Sequence, residues 1–386
     1  MIVEVKGVQF VNKGAELMLH AILDRVRAAR PAASFTVAPN VSSCPYEKLA
    51  ALGIYPKLWL QRYGIQWGYL GNKLPRRLVR AYGLKTDSEV DVVLDASGFA
   101  YGDQWSPRTT VAMARAVCRW RKQGTRVILL PQAFGPFSSK EIRKAFRVVA
   151  SQADLIFARD PVSYKHIVDL VGQVPHLKQA PDFTVLLDGK APSYFDGASQ
   201  DVAIIPNQRM MDKTAGPVAN RYIPFLATCA QEFLDRGHKP FFLIHEGRAD
   251  EELARKVVRL LERDVPVVTE DDPRSIKGII RECKAVVSSR YHGLISALSQ
   301  GVPAVGTGWS HKYHLLFEQY SCPDLLLSPE TADEQVKVTV ASFIKELEGR
   351  RRDLLEAAAQ HKQATIEMWD HVFGVLGTGK WGAGNR

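Results

Sequence analysis

Short runs of β-forming apolar residues alternate along this chain with stretches of helical spacing, and that alternation constrains the fold more than any other feature of the sequence. Ile2 to Phe10 reads as a strand, Asn12-Lys13-Gly14 breaks it, and Leu17, Leu19, Ile22 and Val26 then recur at helical spacing. Asp91 to Leu94, Arg126 to Leu130 and Leu155 to Ala158 repeat the unit, each a buried-type strand followed by a turn and a helical stretch. Strand, helix and strand in this order make a parallel sheet covered on both faces.

The chain has 386 residues, more than one comfortable core accommodates. Asp188 to Gln200 is rich in turn formers and lacks periodicity, as a linker does. A second series follows, with strand-like Val202 to Pro206, Pro240 to His245, Ala285 to Ser288 and Val302 to Val305, and helix-like Tyr222 to Leu234 and Asp250 to Leu261. The expected fold is therefore α/β, two doubly wound parallel-sheet domains facing a cleft: residues 1–190, residues 200–330, and a helical tail at 331–386 that packs back across them and is broken weakly at Gly349. Such sheets bind ligands beyond the carboxyl ends of their strands, so the loops there are the ones to read.

One segment stands out: Ala285-Val286-Val287-Ser288-Ser289-Arg290-Tyr291-His292-Gly293, then Leu294 to Leu298, then Gly301-Val302-Pro303-Ala304-Val305. It reads as strand, turn, helix, turn, strand, with Arg290 and His292 at the helix N-terminus, where unsatisfied N–H groups and the helix dipole favour an anion. Arg290 brings a permanent cation able to grip in two places, and His292 a proton that moves near neutral pH. Alone, an arginine there makes a structural ion pair and a histidine caps the helix; adjacent at one turn, they point to an anion site.

Other strand ends carry weaker signals. Gln132 and Gly135 lie in the turn Pro131 to Phe137, which as a rigid structural loop needs no ligand. Ser97 and Gly98 are small residues after the strand ending at Leu94, and Asp103 beyond them either orients or deprotonates a sugar hydroxyl or caps a nearby turn. Arg159 ends another strand, with Asp160 as the cap of the helix that follows. Asn12, Gly14 and Glu16 occupy the matching place after the first strand, and Lys312 follows the strand Val302 to Val305 either as a further cation or as a solvated helix start. Asp182 ends the first domain, and Glu270-Asp271-Asp272-Pro273 reads as a helix cap. Nothing in these patterns calls for a metal or another cofactor.

Charge and cysteines narrow the setting. The net charge of +10 favours anionic partners without choosing among them. Five scattered cysteines without a Cys-x-x-Cys pair read as reduced thiols. An acidic residue in Met1-Ile2-Val3-Glu4 and the lack of a long apolar run give a cytoplasmic expectation. Neither G-x-G-x-x-G nor G-x-x-x-x-G-K-[ST] occurs, and no solenoid-period repeat. From Tyr55 to Lys85 there are seven Lys or Arg residues and no acid, interleaved with Trp59, Tyr63, Trp67, Tyr69 and Tyr82. Such a stretch suits peripheral contact with the anionic inner face of a membrane or an acidic glycan, or is a basic insertion; no recognised nucleic-acid module accompanies it.

Taken in order, Asn12-Lys13-Gly14-Ala15-Glu16, Ser97-Gly98 to Asp103, Gln132 to Pro136, Arg159-Asp160, Pro181-Asp182, Arg290 to His292, Gly301-Val302-Pro303 and Lys312 resemble the polysaccharide pyruvyl transferase family. Two positions depart from its usual pattern: Ala15 directly follows the glycine, the acid coming one later as Glu16, and Ser97 replaces a glycine. The resemblance implies a GT-B-like fold and transfer of pyruvate from phosphoenolpyruvate to two hydroxyls of a cell-surface polysaccharide or its precursor, forming a ketal. It further implies the acceptor on the first domain, lipid-linked in the membrane-contact reading, and the donor anion on the second. Arg290, Arg159 and Lys312 would then hold carboxylate and phosphate, and His292 would protonate the enol carbon. The alternatives are a GT-B glycosyltransferase using a nucleotide-sugar, whose diphosphate fits the same helix N-terminus, and a non-enzymatic basic scaffold for an acidic glycan or lipid-linked precursor.

Overall fold

The computed structural model describes residues 1–62, 65–261 and 263–377. The chain divides into two compact units, the first made of Met1–Phe10, Met18–Phe183 and Ala364–Arg386, the second of Val11–Leu17 and Thr184–Gln363.

The first unit carries β1 (Ile2–Lys6), β2 (Ser34–Val37), β3 (Ile54–Pro56), a small antiparallel hairpin of β4 (Gln61–Arg62) and β5 (Ile65–Gln66), then β6 (Val92–Asp95), β7 (Arg126–Gln132), β8 (Leu155–Ala158) and β9 (Leu177–Gln179). Seven of these strands form one parallel sheet in the order β3-β2-β1-β6-β7-β8-β9. The chain winds outward in opposite directions from β1 and β6, so a crevice opens at their carboxyl ends. Its helices are α1 (Lys13–Ala29), whose first turn belongs to the second unit, α2 (Tyr46–Ala51), α3 (Arg76–Ala81), α4 (Pro107–Gln123), α5 (Lys140–Gln152) and α6 (Pro161–Val171). Their starts follow local chemistry. Ser106 accepts from the Arg108 N–H ahead of Pro107, Ser139 from Ile142, and Asp160 from Ser163, the last as the sequence suggested.

A buried charge network underlies this sheet. Lys57, 1% exposed, lies 2.5 Å from Glu4 and 2.7 Å from Asp87, and Asp87 also accepts from Arg119 at 2.6 Å and from the Trp120 indole at 3.0 Å. Burial alone would raise the Asp87 carboxyl, but Lys57 and Arg119 overcome it and hold it at about 2. One of the seven cations between Tyr55 and Lys85 is thus internal. Of the aromatic residues in that stretch, Tyr63 lies outside the described residues.

The second unit has β10 (Val202–Ile205), β11 (Pro240–Ile244), β12 (Val267–Thr269), β13 (Ala285–Ser288) and β14 (Ala304–Gly306), parallel in the order β12-β11-β10-β13-β14. Helices α7 (Arg209–Asp212), α8 (Gly216–Asp235), α9 (Gly247–Val258), α10 (Pro273–Glu282), α11 (Tyr291–Leu298) and α12 (Lys312–Gln319) surround it. Asp272 accepts from the Arg274 and Ser275 amides and starts α10, the expected cap. The tail is α13 (Asp333–Lys345), which buries Val336, Val340 and Phe343 in the second unit's core, and α14 (Leu347–Gly377). The break falls at Glu346, and Gly349 sits inside α14, since one glycine lowers helix propensity by only about 1 kcal/mol. Residues to Gln363 belong to the second unit and those from Ala364 to the first, where Trp369 packs edge-on against Phe183.

Among the described residues no helix is long and apolar enough to cross a membrane. All five cysteines are free thiols.

Candidate functional site

The strand-turn-helix segment folds as its pattern suggests, and its turn is held from several sides. Arg290 is the extended N-cap residue of α11, its N–H donated to Ser288 Oγ at 3.0 Å. The Ser289 carbonyl accepts from Asn207 Nδ2 at 2.7 Å and from the Tyr313 hydroxyl at 3.0 Å, while its Oγ accepts from the Tyr222 hydroxyl at 2.6 Å. Burial pushes both phenols far up, so they remain proton donors at any physiological pH.

Arg290 does not stand open. Its Nε donates to Asp250 Oδ2 at 3.0 Å, a second nitrogen meets the same carboxylate, and a third meets Glu246. Asp250 is fully buried at the start of α9 and Arg290 is 8% exposed. Burial lowers Arg290 to about 10, which leaves it charged at neutral pH. Burial raises the Asp250 carboxyl to about 7, against the opposing pull of the Gln208 N–H it accepts from and of the Arg209 charge. The ion pair that an isolated arginine would be expected to make is therefore present.

The first turn of α1 lies against this turn. Asn12 Oδ1 accepts from the Ala15 N–H at 3.1 Å and so caps α1, and Lys13 Nζ sits 2.9 Å from Glu16. Gly14 packs on the His292 ring so closely that a Cβ there would lie 2.1 Å from Nδ1. Glycine is what lets the helix backbone reach the imidazole. Beside them His245, buried just past the end of β11, is held well below the ordinary histidine value by desolvation and by the positive neighbours Arg290, His292 and Lys13. It is neutral at pH 7. The Lys312 ammonium lies 4.8 Å from the centre of the Tyr291 ring and 5.2 Å from that of Trp309, a cation resting on aromatic faces beside α11.

The N-termini of two helices thus meet at His292, with Lys13, Arg290 and Lys312 around them and Glu16, Glu246 and Asp250 balancing their charge. Amide donors and helix dipoles directed to one place suit a small anion, with the ammonium groups of Lys13 and Lys312 close by.

The residues singled out in the first unit gather at the carboxyl ends of β6, β7 and β8. Asp95 accepts from Ser97 Oγ at 2.5 Å and N–H at 3.1 Å and from the Tyr101 hydroxyl at 2.5 Å, with Lys6 at 3.9 Å. Ser97 is pressed on Gly7, and the Gly98 carbonyl accepts from the Ala133 N–H at 2.9 Å. Gln132 is fully buried; its Nε2 reaches the Asp95 carbonyl at 3.4 Å, and its Oε1 receives no hydrogen bond from the described residues.

Three of the expected residues, Gly135, Arg159 and Asp103, have partners within the first unit. Gly135 is packed on His166 and its carbonyl accepts from Gln104 at 3.0 Å, a rigid loop. Arg159 is 3% exposed and paired with Asp182 at 3.2 Å. Both Asp103 oxygens are occupied, by the Ser138 N–H at 2.6 Å and the Ser139 N–H at 3.1 Å. Slight burial pushes Asp103 up, but those amides outweigh it and hold the carboxyl below the usual range. Of the two readings of Asp103, base or turn cap, the geometry supplies the cap.

Four residues of the second-unit site escaped sequence reasoning: Lys13, His245, Glu246 and Asp250. The first sits between two residues that were noticed, and His245 and Glu246 directly follow a strand's carboxyl end, so a stricter reading of every strand end would have included them. Asp250 gave no signal beyond a helical pattern. Among the described residues no group of three or more histidines, cysteines or acids is placed to hold a metal ion.

A family model described as polysaccharide pyruvyl transferase matches residues 12–311. Among solved structures, the chain is similar to HepE of Anabaena in complex with UDP and glucose, at 16% identity over 98% of this chain and 99% of that one, with a TM-score of 0.59. It is similar also to UDP-GlcNAc 2-epimerase from Neisseria meningitidis bound to UDP-GlcNAc, at 9% identity over 97% and 99% with a TM-score of 0.61. MnaA of S. aureus with UDP shows 12% identity over 97% and 96% and a TM-score of 0.59. At such identities the likeness is one of fold, and the fold is α/β and GT-B-like.

Proposed function

The chain belongs to the polysaccharide pyruvyl transferase family, and from that membership we propose that it moves pyruvate from phosphoenolpyruvate onto two hydroxyls of a sugar in a cell-surface polysaccharide or its precursor, closing a cyclic ketal. Membership makes it a transferase with a carbohydrate acceptor and a small-molecule donor. The observation that carries the donor assignment is the meeting of the α1 and α11 N-termini at Gly14 and His292. Phosphoenolpyruvate is a small polyanion, and amides of two helix starts, with Lys13, Arg290 and Lys312 beside them, match its carboxylate and phosphate.

In this reading His292 gives a proton to the methylene carbon, which becomes a methyl group. A sugar hydroxyl oxygen bonds to the adjacent carbon, the bond from that carbon to the phosphate oxygen breaks, and a second hydroxyl oxygen takes its place. Of the two hydroxyl protons released, one restores His292 and the other leaves with phosphate. Neutral His245 keeps a second positive charge away from the imidazole. On the acceptor side, in the first unit, Ser97 and Gly98 at the carboxyl end of β6 suit hydroxyl groups.

A lipid-linked acceptor at the inner face of a membrane fits the stretch from Tyr55 to Lys85. Leu60, Trp67, Leu70, Leu74, Leu78 and Tyr82 are all exposed there, among Lys73, Arg76, Arg77 and Arg80. Exposed apolar side chains interleaved with cations are what an anionic bilayer surface takes up.

The experiment is donor protection on heating, with product mass. Phosphoenolpyruvate should raise the melting temperature, UDP-glucose should not, and incubation with acceptor glycan should add one pyruvate as a ketal. Protection by UDP-glucose alone would move the assignment to a nucleotide-sugar glycosyltransferase, the reading that the UDP-bound fold relatives keep open. Protection by neither donor, with acceptor still bound, would leave a glycan-binding scaffold.

A further inference from the structure

The first unit contains a cavity of about 530 Å³, within the size range of small-molecule sites, at the carboxyl ends of β1 and β2. Its walls are the strand ends at Val5–Val8 and Val37–Asn40, the Trp59 ring, and one face of α4. On that face Thr109, Ala112 and Ala116 are short and leave room, while Arg108 and Arg115 stand on either side of Ala112 at helical spacing. Both arginines are exposed, and neither guanidinium has an ion-pair or hydrogen-bond partner among the described residues. The third arginine of the face differs: Arg119 is held by Asp87, within the network in which Lys57 and Glu4 cancel the remaining charge. The inner end of the cavity is thus neutral, and its α4 rim carries two uncompensated positive charges with a large flat aromatic ring nearby.

We propose that this cavity is the acceptor pocket and that it is built for an anionic saccharide, one carrying a phosphate or a carboxylate. Arg108 and Arg115 receive the anion, and a sugar ring lies on Trp59. The carbohydrate follows from the pyruvyl transferase reading, and its charge from the two arginines. Guanidinium groups left open at a cavity rim are forks for carboxylate or phosphate oxygens, and an indole offers a broad apolar face for the C–H side of a pyranose. The hydroxyls of a neutral sugar would leave both positive charges unanswered.

The test is equilibrium binding to the whole protein by calorimetry, without donor, so that it does not depend on turnover. The probes are the 1-phosphates of glucose, galactose, mannose and N-acetylmannosamine, the matching uronic acids, the neutral methyl glycosides and, as a control, uridine monophosphate. At least one anionic sugar should bind roughly tenfold or more tighter than its methyl glycoside, as one charge-assisted hydrogen bond supplies. The gap should shrink in high salt and vanish in Arg108→Gln/Arg115→Gln, whose melting temperature should stay that of the parent because both side chains are exposed. The phosphate and uronate arms separate the two sources of the anion. Equal binding of anionic and neutral sugars, a preference that survives the double substitution, binding by none of the sugars, or tighter binding of uridine monophosphate would each overturn the proposal. A charge preference lost with the arginines, in a protein that forms no ketal from phosphoenolpyruvate, would leave the pocket standing while the donor assignment fell. Ketal formation without any charge preference would do the reverse.

Discussion

The Gly14 backbone lies flat against the His292 imidazole, close enough that a methyl group at position 14 would sit 2.1 Å from Nδ1. The two residues are far apart in the sequence, and their contact brings the start of α1 to the start of α11.

Gly14→Ala follows from that contact. Alanine is the better helix former, so on propensity alone the change would stabilise α1 by about 1 kcal/mol. The clash works against it: overpacking of this kind costs about 1–3 kcal/mol unless the ring moves. The expected outcome is a folded protein with a displaced His292 and turnover reduced about a hundredfold, since misplacing a reacting group by about 1 Å costs that much. Circular dichroism together with a ketal-forming assay checks it; full activity would show that the ring position is not critical.

His292→Asn keeps a polar group of similar size but removes the mobile proton. If His292 is the acid at the methylene carbon, phosphoenolpyruvate affinity should stay near normal while turnover at saturation falls roughly 10²- to 10⁴-fold. Lost affinity with intact saturated turnover would make His292 a binding group.

Arg290→Ala tests the buried pair. In the structure the substitution strands Asp250 in the core, and breaking one side of a buried pair costs about 3–5 kcal/mol. Denaturant unfolding should show that loss, and Arg290→Ala/Asp250→Asn should recover a substantial part of it, a non-additivity that a double-mutant cycle reads directly. Activity should stay low in both.

Buried neutral His245 sets a pH dependence. Its folded value is well below 6.5, so under acid conditions the unfolded chain binds a proton that the folded chain refuses. Its contribution to stability is complete above about pH 6.5 and falls progressively as the pH drops below that value. The stability difference between the parent and His245→Gln should accordingly be constant from about pH 7 upward and shift against the parent below pH 6.5. Parallel melting-temperature curves down to pH 5 would remove this account.

Replacing Trp67, Leu70, Leu74 and Leu78 by serine should weaken co-sedimentation with vesicles of phosphatidylglycerol and leave activity on a water-soluble acceptor unchanged. Equal sedimentation by parent and variant, or equal binding to neutral phosphatidylcholine vesicles, would count against the surface anchor.

Much of the architecture was legible because it is written locally. Buried parallel strands are short apolar runs, as at Leu155–Ala158 and Ala285–Ser288, and helix starts carry their own caps, as at Asp160 and Asp272. The strand-turn-helix around Arg290 and His292 could likewise be placed, because a strand end and a helix N-terminus are defined within a few residues. What sequence could not supply was the company those residues keep. Whether Arg290 faces a ligand or Asp250, whether Lys57 is a surface cation or the centre of a buried network, and whether Asp103 is a base or the clasp of the Ser138–Ser139 turn all depend on partners tens of residues away. The same holds for Gly14, whose local signature is only that of a helix breaker. Propensity and periodicity act over one or two turns, whereas burial, ion pairing and the proton affinity of a side chain are set by every atom within a few ångströms. Only the folded chain determines which atoms those are.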